Sequence, residues 1–378
     1  MNPALELRIV RSEGGFATQL SWQGRACSPP RLVTEGDLAT LRHVVDGSRQ
    51  LLKSPGPGIL ATEAILAVGV ELFHLWLAPD WDAVMPQLPA GQSVMLAVTS
   101  DVAELVHLPW EALVPPEGQP LGLANRFGVQ RRPFGLPALN RCRALSPGPL
   151  RLLFMACSPQ GFDWPEAVQE ENAFRLCLPE EREQDPDAPA IEAHIASGRG
   201  WADLEQAIHQ WQPHVIHLSG PALIRGTQGF FAFEEPDGQA DARTSGEMVR
   251  DLLRHSGAGL MILSGRESGK APPMAATGAL AQGIVATGAF SMALAWPETL
   301  LAGESIPFLR ALYRELAAGT AVDRALTLAR RAILPLTDSL GRPGWSLATL
   351  HARGEQPYLF HAGFRVNRCS KPLHDDEK

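Results

Sequence analysis

Three short, nearly unbroken apolar runs limit what this chain can fold into: "LRLLFMA" (150–156), "HVIHLS" (214–219) and "GLMILS" (259–264). A half-exposed strand alternates polar and apolar residues, whereas a strand covered on both faces does not. Helical patterns separate these runs. Ala167–Leu178 is one, and "WADLEQAIHQW" (201–211) places Trp201, Leu204, Ile208 and Trp211 on one face before Pro213 stops it. Glu247–Arg254 is another. Buried strands alternating with helices predict an α/β fold with a mainly parallel sheet and helices on both faces. Ligands of such sheets gather beyond the carboxyl ends of the strands. The loops after Ala156, Ser219 and Ser264 are therefore the ones to inspect.

Before residue 149 the rhythm differs. "ALELRIVRS" alternates, with Leu5, Leu7 and Ile9 on one face, and "EGG" turns it into "FATQLSW" as a hairpin. Helices follow at Leu38–Leu52 and Ile59–Leu77, then the strand "SVMLAV". The breaker "SPGP" (146–149) marks the boundary. It divides a smaller α+β region, 1–148, from an α/β core, 149–366, with residues 367–378 as a disordered tail. Toward the end, Ser305 is read as the cap of a helix with Phe308, Leu309, Leu312 and Leu316 inward. Thr320 and Asp323 read as a capping box before Val322, Leu326, Ala329 and Ile333. "WSLATLHA" is the last strand, and "RRP" (131–133) reads as a solvated basic turn.

The uncharged stretch between Lys270 and Glu298 is the one segment to weigh as a membrane span. It is built from Ala, Gly and Thr rather than large apolar residues, so it is read as a buried helix, Met274 to Gln282, followed by strands "GIVATG" and "FSMALAW". The start, "MNPALELRIV", has no basic flank or apolar core of a signal peptide. The five cysteines are scattered without a C-x-x-C pair, which predicts neither a zinc site nor a disulfide framework and fits a reducing cytoplasm. A net charge of −8 argues against broad nucleic-acid binding, so any such contact is expected to be indirect.

The loop "LSGRESGK" (263–270) invites a phosphate-binding reading. A phosphate-binding loop of that kind is G-x-x-x-x-G-K-[ST]. Here Gly265 and Gly269 are one residue too close, and Ala271 offers no hydroxyl for magnesium. Taken together, "VIHLSGPALIRGTQGFFAFEEPDG" (215–238) and "LMILSGRESG" (260–269) instead resemble the CHAT family of caspase-like cysteine proteases, the broad class of caspases and separases. There the first strand ends like "iHlSGHG" before a hairpin and the second like "vfLNACeSG". "ELVHLPWEAL" (104–113) is similar to the family's "lPWEaL", and the likeness runs from about Ile59 to Leu350.

That resemblance implies a caspase-like fold and no cofactor. It also implies a catalytic histidine at position 221 and a cysteine at 266, where this chain has Pro221 and Arg266. Proline has no titratable group and arginine stays protonated, so neither can attack or deprotonate. The expectation is a pseudoprotease that, as a homo- or heterodimer, regulates or scaffolds a protease, a substrate or a defence effector complex. Ser219, Ser264, Arg266 and Glu267 would line its cleft, with Arg266 either neutral or an anchor pairing with Glu267 or Glu234. Two alternatives stay open: a relocated or partner-completed dyad of Cys157 and His217, or an anionic-ligand sensor using Arg266 and Lys270. His214 and His217 lie three apart in a strand, on opposite faces, and do not form a metal pair.

Overall fold

The structure is a computed structural model. It describes residues 4–53, 58–116, 118–139, 149–162, 167–178, 190–226, 228–251, 256–265, 275–296, 302–336, 343–354 and 358–359. The N-terminal part contributes strands β1 (Ala4–Ser12), β2 (Gly15–Trp22), β3 (Arg25–Ala26) and β4 (Arg31–Thr34). Helices α1 (Glu35–Lys53), α2 (Gly58–Trp76) and α3 (Ala78–Val84) follow, then β5 (Val94–Ser100), α4 (Ala103–Val106) and β6 (Phe127–Arg131). Next come β7 (Leu150–Ala156), α5 (Ala167–Cys177), β8 (Ile191–Ile195), α6 (Trp201–Trp211) and β9 (Val215–Ser219). A small antiparallel sheet of β10 (Ala222–Arg225), β11 (Gln228–Glu234) and β12 (Ala240–Thr244) precedes α7 (Ser245–Asp251) and β13 (Leu260–Ser264). The chain then forms α8 (Ala275–Ala286), β14 (Met292–Trp296), α9 (Ala302–Ala317), α10 (Val322–Ile333) and β15 (Thr349–Ala352).

Twelve strands form one sheet in the order β3-β2-β1-β5-β6-β15-β14-β13-β9-β7-β8, with β4 pairing on β2. The fold is α/β, as the apolar runs predict. The sheet holds two parallel blocks. β1, β5, β6 and β15 run one way, and β14, β13, β9, β7 and β8 run the other. They meet at the antiparallel pair β14–β15. The sheet therefore continues across residue 148, joined by the C-terminal strand β15 beside β6.

Alternation sorts the second block's core into two layers. Leu153, Met155, Ile216, Leu218, Met261 and Leu263 pack with α6, α7, α8 and the small sheet. Phe154, Val215, Ile262 and Trp296 pack on the other face with Phe174 of α5 and Phe308 and Leu312 of α9. Among the described residues no single helix is long and apolar enough to cross a membrane.

Several local expectations need correction. "GIVATG" is no strand: α8 runs on to Ala286. Gly283 does not break it, because the missing side chain admits Ser245, whose Oγ would lie 2.2 Å from a Cβ there. Ser305 sits buried inside α9, which starts at Ala302. The inward face of Phe308, Leu309, Leu312 and Leu316 is as expected. Thr320 Oγ1 donates to Glu315 Oε2 (2.9 Å) and leaves α10 capped by Ala321 without a side-chain bond, so Asp323 belongs to no capping box. Strand β8, "IEAHI", was not anticipated, and "WSLATLHA" is strand only over its last four residues, Thr349–Ala352.

The largest departure concerns "RRP". Arg131 is no solvated turn: its side chain is 1% exposed and pairs with Glu111, which is fully buried. Both guanidinium Nη atoms reach the carboxylate, Nη2 at 2.7 Å, while Nε and Nη2 also donate to the carbonyls of Val106 and Leu108. Arg330 of α10 lies 3.5 Å from the same carboxylate and donates to the carbonyls of Gly122 and Ala348. This cluster sits where the two blocks join, since Arg131 is in register with His351 of β15. Trp110 of "PWEAL", beside it, is buried and donates to the Leu105 carbonyl (2.9 Å).

Candidate functional site at the ends of two parallel strands

β9 and β13 are parallel neighbours in register, with Ser219 opposite Ser264. Both strands end in Ser-Gly, so the two turns leave from the same rim of the sheet. The Gly220 N–H donates to the Ser264 carbonyl (3.0 Å). The backbones approach so closely that a Cβ on Gly265 would stand 2.0 Å from the Gly220 oxygen. Overpacking of this kind costs about 1–3 kcal/mol. Gly265→Ala is expected to lower the urea midpoint accordingly while leaving the slope of the transition unchanged.

Pro221, next after Gly220, is buried, and its carbonyl accepts from the Ala232 N–H (3.1 Å). Arg266, Glu267 and Lys270 lie outside the described residues. The chain enters Arg266 directly from Gly265.

Ser219 and Ser264 do not line an open cleft, contrary to expectation. Parity turns both side chains to the face covered by α5 and α9, where each is at most 2% exposed. The Ser219 hydroxyl donates to Glu170 Oε2 of α5 (3.5 Å). Ser264 Oγ lies 2.8 Å from His217 Nε2, and His217 Nδ1 lies 2.6 Å from the Tyr313 hydroxyl of α9.

A serine, a histidine and an orienting third group at such separations have the outline of a nucleophile and its base. The surroundings remove that function. His217 is caged edge-on by Phe154 (5.0 Å between centroids) and Trp296 (5.7 Å), and burial pulls its pKa down to about 3. An imidazole that weak accepts no proton at neutral pH. The trio is a satisfied core network.

Nor does the structure bring Cys157 and His217 together. Phe154 is in register with His217, so Cys157, three residues on, emerges on the opposite face. There it packs with Leu153 and Met155, and its Sγ donates to the Arg199 carbonyl (3.2 Å). Burial raises the thiol's pKa far above the ordinary range. Glu234, weighed as a partner for Arg266, pairs with Arg199 (3.5 Å) and accepts from the Ser158 N–H (3.3 Å). His214 faces away from His217 and accepts from the Arg151 N–H (3.2 Å). No group of three or more His, Cys, Asp or Glu among the described residues could hold a metal ion.

One cavity of about 540 Å³ opens at this rim, at the end of β7 and along the second half of β8. Its lining runs continuously from Ala193 to Arg199, and Glu171, Arg175 and Leu178 close it from the α5 side.

With this geometry in place, the CHAT domain profile matches residues 67–358, well over half of the chain. The chain belongs to the CHAT domain family. The two strand-end turns and "PWEAL" all fall inside the match. Among curated proteins none matches the chain. Solved structures that overlay on it include the Saccharomyces cerevisiae separase–securin complex, at a TM-score of 0.45 and 8% identity over 92% of this chain and 30% of separase. The Arg-specific cysteine proteinase gingipain R overlays at 0.44 and 10% identity, over 97% of this chain and 80% of the other. A second separase–securin structure gives 0.36 and 11% identity over 87% and 21%. The CHAT chain spans less than a third of the separase it overlays.

Sequence reasoning missed the Glu111–Arg131–Arg330 cluster and the Tyr313 partner of His217. The signals were faint. Arg131 closes an apolar strand, "FGVQR", where a charge must find a buried partner, but nothing local names Glu111 or Arg330 as that partner.

Proposed function

We propose that this CHAT chain is a pseudoprotease: a caspase-like scaffold retained as a regulatory or scaffolding subunit that binds a protease, a substrate or a defence effector complex in the cytoplasm. The observation that carries the reading is the pair Pro221 and Arg266, which follow in-register strand ends where the family pattern has its histidine and cysteine. Losing both members of a cooperating pair removes the thiolate and the base that the family pattern places after these two strands. The available substitutes add support, because Cys157 and His217 face opposite sides of the sheet and both are shifted away from reactivity.

A panel of fluorogenic peptides and a thiol-directed covalent probe test this. No turnover is expected, and Cys157 is expected to be alkylated only as fast as the core opens, with denaturant accelerating it. Peptide turnover that disappears in Cys157→Ala sinks the proposal.

A further inference from the structure

The far end of the sheet is an open strand edge. The Leu150 N–H donates to the Ala190 carbonyl and the Ala196 N–H to the Phe154 carbonyl, both at 2.9 Å. In a parallel ladder the main-chain groups of alternate residues face the same neighbour. Residues 190, 192, 194 and 196 therefore turn theirs to β7. Ile191, Ala193 and Ile195 turn N–H and C=O outward, and among the described residues nothing pairs with them. The cavity adjoins this edge, with consecutive main-chain residues along it.

A ligand that meets main-chain donors and acceptors at strand spacing must itself be an extended main chain. The charged groups select its side chains. Arg175 and Arg199 stand in the lining against one carboxylate, Glu171, in a chain whose net charge is −8. Both arginines are solvent-accessible, at 58% and 38%, and their pairings with Glu171 and Glu234 are exchangeable.

We propose that β8 is the docking edge for an extended acidic segment of a partner protein, which adds a strand to the sheet and places a carboxylate between Arg175 and Arg199. This inference rests on the binding-subunit reading and names where and what it binds.

Random short peptides displayed on phage and selected on the full-length protein test it. The enriched peptides are expected to carry Asp or Glu and to slow hydrogen exchange at the Ile191, Ala193 and Ile195 amides. They are expected to bind at least about tenfold more weakly to Ala193→Pro, which removes an outward N–H, and to Arg175→Glu. Arg175→Glu and the exchange readout carry the test should Ala193→Pro fail to fold. A selection that enriches nothing, or peptides whose binding ignores both variants, overturns the proposal. So does a dimer of this chain that Ala193→Pro dissociates, because the edge then serves a second copy. Peptides bound elsewhere without cleavage leave the binding-subunit reading standing, whereas cleavage of the enriched peptides overturns that reading itself.

Discussion

Glu111→Ala is expected to cost about 3–5 kcal/mol of stability, because removing one partner of a buried ion pair strands the other charge. Here it strands two. Arg131 and Arg330 are at most 2% exposed, and the Glu111 carboxylate is the anion they share. Arg330 already has its pKa lowered to about 10 by burial, with Arg131 adding to the lowering and Glu111 opposing it. The loss is a large share of the 5–15 kcal/mol that holds a typical domain together. Urea unfolding reads it as a drop in midpoint at unchanged slope. Glu111→Gln keeps the shape and loses the charge, so it falls between. The double variant Glu111→Leu/Arg131→Met recovers part of the loss, since an apolar pair replaces a desolvated one. A loss for Glu111→Ala below about 1 kcal/mol, the range of an exposed pair, would show that the cluster contributes no more than a surface ion pair does.

The second large effect is acid sensitivity. Burial lowers the pKa of His217 from 6.5 to about 3, of His214 to about 4 and of His351 well below its ordinary value. The unfolded chain then binds more protons than the folded one as pH falls below 6.5. The stability these neutral imidazoles contribute is fully present above pH 6.5 and is lost toward pH 3–4. For His217 alone this amounts to on the order of 3 kcal/mol by pH 4. Asp323 works the other way. Burial raises its pKa from 3.8 to about 6, so its contribution is full below 3.8 and disappears as pH rises through 6. It offsets one histidine of three.

Stability is therefore expected to fall steadily from pH 6.5 to 4. His217→Phe lowers stability at pH 7, because Tyr313 and Ser264 lose their partner, yet flattens the slope between pH 6 and 4. Urea midpoints across that range check it, and an unchanged slope in the variant would remove His217 from the account.

How much of this could be read from sequence follows from how local each cause is. Unbroken apolar runs such as "LRLLFMA" and "GLMILS" declare strands covered on both sides, and the spacing of Phe308, Leu309, Leu312 and Leu316 declares a helix face. β8 was harder to see: its five residues, "IEAHI", alternate as a half-exposed strand does, but the run is short and directly follows the polar, proline-broken "EEREQDPDAPA". The site was half legible. Two strands ending in Ser-Gly could be aligned by pattern, and parity within β9 separated His214 from His217. Parity between strands needs their register, which only the fold supplies, and that register sets Cys157 on the opposite face from His217. The ionic cluster was invisible for the same reason, with Arg330 lying about two hundred residues from Arg131.

The sheet's reversal at β14–β15 sends the carboxyl ends of its two parallel blocks to opposite rims. The ends of β7, β9 and β13 open at one, and those of β1, β5 and β6 at the other. A body seated at one rim leaves the other unobstructed. The blocks are bridged by the β14–β15 pair, one strand from Arg131, and by α10, which packs on both α9 and β6.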